Sequence, residues 1–133
     1  MEDLINSCLV ISGLTLAISS ICWTDLAFAD PNQIRQVLQT RECPGCDLSR
    51  TRLSFANLRN ANLRNANLFS ADLKFVDLRD ANLIGAILDK ADLSGADLTG
   101  ADLTSTYMTE TNFCGATMPD GQKSSEGCPK APK

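Results

Sequence analysis

Six cysteines and no histidine bound the chemistry open to this chain of 133 residues. Without an imidazole there is no Ser/His/Asp or Cys/His nucleophile pair, no imidazole general base and no histidine-ligated metal. Thiol chemistry remains, and Cys43-Pro44-Gly45-Cys46 has the Cys-x-x-Cys spacing that suits it. A thioredoxin-like dithiol sits at a helix N-terminus in a βαβ setting, which lowers the thiolate pKa. The residues after Cys46 do not read as such a unit, so a structural staple, a redox-active or sensing dithiol and a metal site all stand as readings of the pair. No catalytic residue, cofactor-binding residue or metal ligand is assigned, and no cofactor is expected.

The elements that would position these thiols differ along the chain. Cys8 to Trp23 is an uncharged, mostly apolar run, followed by Ala27-Phe28-Ala29 and then Asp30-Pro31. A small-x-small triplet after a short apolar run reads as a secretory signal, residues 1–29, cleaved after Ala29. The start carries Glu2 and Asp3 and no base, against the usual pattern, which keeps an uncleaved anchor or a mis-assigned start as alternatives; the run is short for a membrane span. Ile21 before Cys22 argues against a lipoprotein, and twin arginines are absent. Cleavage would remove Glu2, Asp3 and Asp25, leaving 12 basic against 13 acidic residues. A near-neutral mature chain gives no electrostatic reason to expect nucleic acid or, after cleavage, membrane as a partner.

Aromatic residues make up only 5% of the chain, too few to fill a conventional core. A repetitive core is needed, and the sequence supplies one. From Cys46 to Asp120 the chain divides every five residues without an insertion, giving 15 repeats such as Ala56-Asn57-Leu58-Arg59-Asn60 and Ala71-Asp72-Leu73-Lys74-Phe75. The third position is apolar each time, from Leu48 through Leu103 to Met108, Phe113 and Met118, and the first is small or modest in size. A period of five fits neither a helix nor a flat strand. Two apolar positions two apart require a short extended piece and then a bend in every repeat. Such a chain winds into a coil whose turns stack at about 4.8 Å. Asn or Asp at the second position, and Gly, Ser, Asn or Asp at the fifth, suit the corners.

The Ala-(Asp/Asn)-Leu-x-x pattern resembles the pentapeptide-repeat family. The resemblance implies an all-β fold, a right-handed quadrilateral β-helix with four repeats per coil and about 3.75 coils over residues 46–120. The Cys43-Pro44-Gly45-Cys46-Asp47-Leu48 entry further resembles exported cyanobacterial members, implying thylakoid lumen or periplasm. Thr51-Arg52, Val76, Ile87 and Thr106-Tyr107-Met108 depart from the pattern and are expected to widen or bend the coil. Residues 30–45 read as an N-terminal capping helix, Pro31–Thr40 with Asp30 as N-cap, plus the Cys-Pro-Gly-Cys turn. Residues 121–133 read as an irregular tail. On a rod of this length, Cys43 and Cys46 at one end cannot reach Cys114 and Cys128 at the other, so the expected disulfides are Cys43–Cys46 and Cys114–Cys128. Four thiolates that cannot converge also make no metal site.

Residues 20 apart would stack on one face, which places Phe55 with Phe75 and Arg59 with Arg79 as a possible interaction surface or an incidental solvated one. Three functions compete. A non-enzymatic exported module, monomer or weak dimer, that serves as structure or binds a protein partner is favoured. A thiol-redox role through Cys43 and Cys46 is the alternative. DNA mimicry toward a type II topoisomerase, known for some family members, comes last, because it needs a cytosolic and acidic rod.

Overall fold

The computed structural model describes residues 29–132, so the expected signal segment lies outside the described residues except for Ala29. Helix α1 spans Pro31–Thr40. Its start follows from Asp30, whose side chain accepts from the Asn32 N–H at 2.8 Å, and from Pro31 in the first turn, where a missing N–H costs nothing. It stops at Arg41, which turns left-handed at φ 58° and donates its N–H to the Val37 carbonyl. Val37 is fully buried, and Ile34 packs against the same core.

Beyond α1 the chain coils. Twelve parallel bridges join each second-position residue to the one 20 further on, from Glu42 with Asn62 to Asp97 with Thr117. Four repeats therefore make one coil. At Asp77 the pattern is complete: Leu78 and Asp80 donate to the carbonyls of Asp97 and Thr99 at 2.8 and 2.9 Å, and Asp97 donates back to Val76 at 3.0 Å. The Asp77 side chain accepts from the Arg79 N–H at 3.2 Å, closing an Asx turn, and Asn or Asp does the same in most repeats. The fifth residue then takes positive φ, from Arg50 to Gly115. The β character thus resides in single-residue bridges, and among the described residues no extended strand forms, because a corner interrupts every repeat.

Three features differ from the sequence expectation. The ladder starts one repeat early: Glu42 bridges Asn62, Cys43 and Gly45 donate to Asn62 and Arg64, and Cys43 is buried where a central leucine would sit. Pro44-Gly45 is therefore a corner of the coil, and the array covers residues 41–120 in 16 repeats. Nor do all central residues bury: Leu48 through Leu98 and Phe113 do, Leu103 and Met118 are half-buried, and Met108 is 39% exposed. Last, the tail is not irregular throughout. It turns at Gly121, and Lys123 pairs antiparallel with Thr117.

The departures from the consensus leave the 20-residue register unbroken: Ile87 bridges both Asn67 and Tyr107, and Val76 is buried. Threonine at the first position is accommodated by hydrogen bonding, since the Thr51 hydroxyl donates to Leu48 at 2.6 Å and that of Thr111 to Leu88 at 2.8 Å. Among the described residues no buried side-chain polar atom lacks a partner.

Candidate interaction surface

Phe55 and Phe75 both hold the fifth position of a repeat and lie one coil apart, so the corner geometry aims their side chains along the same column. Their rings stack with centroids 5.1 Å apart and planes at 13°. Phe55 and Phe75 adopt φ of 63° and 54°, a region that costs an L-residue roughly 1–2 kcal/mol. The next residue in the column is Gly95, where an added Cβ would collide with the Phe75 ring. Glycine there lets the Phe75 ring lie against the backbone. Phe55 ends the stack 76% exposed.

The neighbouring corner carries Arg59 and Arg79, which the structure commits to carboxylates. Arg79 grips Asp77 through two hydrogen bonds at 2.9 and 2.6 Å and comes within 3.8 Å of Asp97; Arg59 lies 3.6 Å from Asp80. The Arg79 hydrogen bond holds the Asp77 carboxyl below its ordinary 3.8 against the opposing effect of desolvation, and raises the pKa of Arg79 in return. Asp97 is lowered chiefly by the Thr99 hydroxyl, which donates to it at 2.6 Å. Around this patch the charge is uneven. Residues 30–65 hold six arginines against Asp30, Glu42 and Asp47, whereas residues 66–120 hold three cations against nine carboxylates.

The thiols are joined as Cys43–Cys46 and Cys114–Cys128. Cys43 is fully buried beside α1, its sulfur 3.6 Å from the Gln33 carbonyl, and Cys46 is half-buried. The first bridge spans one corner inside the core; the second pins the tail to the last coil. Among the described residues no group of acidic or thiol side chains is arranged to hold a metal ion.

A sequence model of pentapeptide repeats matches residues 46–83 and 77–115, in eight copies. The chain belongs to the pentapeptide-repeat family. A pentapeptide-repeat protein from the thylakoid lumen of Arabidopsis thaliana is 36% identical, with a TM-score of 0.60, over 69% of this chain and 63% of its own. The match thus spans less than two thirds of the Arabidopsis protein. A pentapeptide-repeat protein from Nostoc is 28% identical, with a TM-score of 0.63, over 68% of this chain and 77% of its own. No curated protein matches the sequence significantly. These likenesses imply a right-handed quadrilateral β-helix, and pentapeptide-repeat proteins are generally not enzymes. Within this pentapeptide-repeat rod, sequence reasoning missed the role of Gly95. Its signal is visible in retrospect as a glycine one coil after a phenylalanine at the same corner.

Proposed function

We propose that this pentapeptide-repeat protein is a non-enzymatic interaction module of an oxidising compartment, thylakoid lumen or periplasm, and that Phe55, Phe75 and Arg59 face a protein partner beside Arg79, which is held by Asp77 and Asp97. The carrying observation is the aromatic column itself. Glycine, asparagine or another polar residue fills the fifth position in the other repeats, yet here two phenylalanines sit in left-handed backbone with the outer one in water. A stacked pair returns only about 0.5–1.5 kcal/mol. Aromatic and arginine side chains supply most binding hot spots, and a rigid solenoid presents them preorganised. The two disulfides and the lumenal source of the Arabidopsis protein support the compartment.

The test replaces Phe55 and Phe75 together with asparagine, which tolerates positive φ. A binding role predicts an unchanged or higher melting temperature, and loss of a saturable cross-linked partner in lumenal or periplasmic extract. A fall in melting temperature with cross-linking intact would assign the phenylalanines to stability instead. Protease protection of the native protein inside a membrane-enclosed fraction tests the compartment separately.

A further inference from the structure

Among the described residues, the last coil is covered on two of its faces and bare on the other two. In the coil below, Leu83, Gly85, Leu88 and Lys90 donate upward to Asp102, Thr104, Tyr107 and Thr109 at 2.7–3.0 Å. One coil higher the same duty falls to Leu103, Ser105, Met108 and Glu110. Among the described residues their N–H groups meet no acceptor, and the carbonyls of Ala101 and Thr106 meet no donor. Over residues 111–120 the tail fills this role: Phe113, Gly115 and Met118 donate to Glu126, Ser124 and Gln122. The bare half also leaves Met108 39% and Tyr107 62% exposed, with Leu103 half-buried. An open β edge above apolar side chains is a template for strand addition.

The molecule shows how that edge is used. In the tail, Ser124 donates to the Ala116 carbonyl and Met118 to Gln122, both at 2.8 Å, with Lys123 opposite Thr117. Ala101 and Leu103, and again Thr106 and Met108, occupy the same repeat positions as Ala116 and Met118. Where Thr117 faces Lys123, the bare half presents Asp102. Its carboxyl accepts from the Thr104 hydroxyl and from the Thr104 N–H at 2.9 Å. The next repeat adds Glu110, with Lys90 3.8 Å away, and Asp89, which accepts from the Thr109 N–H at 2.6 Å.

We propose that residues 101–110 take an extended basic and apolar segment of a partner protein as an antiparallel strand. A Lys or Arg of that segment lies opposite Asp102, and its two flanking residues lie at Ala101 and Leu103, as Ser124 and Gln122 lie at Ala116 and Met118; the segment then bends with the coil to run past Met108. The local carboxylates select a basic segment by charge complementarity. This site lies apart from the aromatic column, and either can fail without the other.

The experiment is an amide NMR titration of the full chain with a synthetic peptide of about eight alternating valines and lysines. Saturable shifts at Leu103, Ser105, Met108 and Glu110, with amide exchange there slowed by about tenfold, are expected. N-methylation of the peptide backbone should abolish them. Asp102→Lys should weaken binding about tenfold, with Phe113 and Gly115 still protected from exchange as a check that the coil is intact. The proposal is overturned if the peptide causes no shift at these amides, if the N-methylated peptide binds equally, or if the shifts centre on Phe55. It is overturned as well if the same amides shift with protein concentration alone, since a second copy would then occupy the edge.

Discussion

Leu48 and Met108 hold the same position of the repeat and stand in the same column of the core, three coils apart, yet Leu48 is sealed and Met108 is 39% exposed. The difference is not in the residues but in what lies beyond them. Against Leu48, at the N-terminal end of the column, sits α1, with Val37 buried and the Gln33 side chain accepting from the Asp47 N–H at 2.6 Å. Beyond Met108 the tail has already turned away to cover Phe113 and Met118. An apolar side chain in a solenoid is buried by the next coil, not by its own repeat, so the ends decide which residues belong to the core.

The largest test of that contrast exchanges one residue at a time for aspartate. Leu78→Asp places an unpaired carboxylate in the closed interior and should cost about 3–5 kcal/mol, enough to unfold the rod, whereas Met108→Asp should cost about 1 kcal/mol or less. Thermal melts of the two variants decide it, and equal losses would break the comparison. Next in size is the C-terminal tether. Cys114→Ser with Cys128→Ser removes a closed loop worth about 3 kcal/mol by loop entropy and should expose the amides of Phe113, Gly115 and Met118, with Leu58 to Leu73 still protected. Loss of the Cys43–Cys46 link should matter less, because its loop is so short. Equal fraying at both ends after the first change would show that the array melts as one unit.

How much of this the sequence discloses depends on how local each cause is. The Leu48 to Leu98 columns and the Asn and Asp corners are legible because every repeat restates them. Left-handed backbone at Arg50, Lys90 and Glu110 is not, since the coil imposes it on residues whose types give no sign of it. Cys43 hides as a repeat because the proline after it obscures the corner. Met108 misleads for the opposite reason: its apolar type fits the period, but the residue 20 positions later, Cys128, has left the register. Of the interaction surface, the Phe55 and Phe75 stack follows from the spacing. The bidentate grip of Asp77 on Arg79 depends on rotamers that spacing does not reveal.

A smaller effect sharpens the picture of the tail. Gly127 stands at φ 81°, and a Cβ there would meet the Asn112 Oδ1 at 2.5 Å and its Cα at 3.0 Å. Gly127→Ala should therefore cost about 1–2 kcal/mol and loosen the tail alone, read as faster exchange at Phe113 without change at Leu58.

The smallest effect is on pH. Asp77, Asp97 and Asp102 have folded values below the ordinary 3.8, so their stabilisation is fully present above about pH 4 and is lost as the pH falls through the folded values. The melting temperature should be flat from pH 7 to about 5 and decline below about 4, with Asp77→Asn flattening part of the decline.

Amide hydrogen exchange of the native chain tests the unequal ends most directly. The account predicts slow exchange at Cys43, Gly45 and Leu48, matching Leu83 and Leu88, slow exchange at Phe113, Gly115 and Met118 beneath the tail, and near free-chain rates at Leu103, Ser105, Met108 and Glu110. Protection of those last four amides equal to that of Leu83 and Leu88 would contradict it.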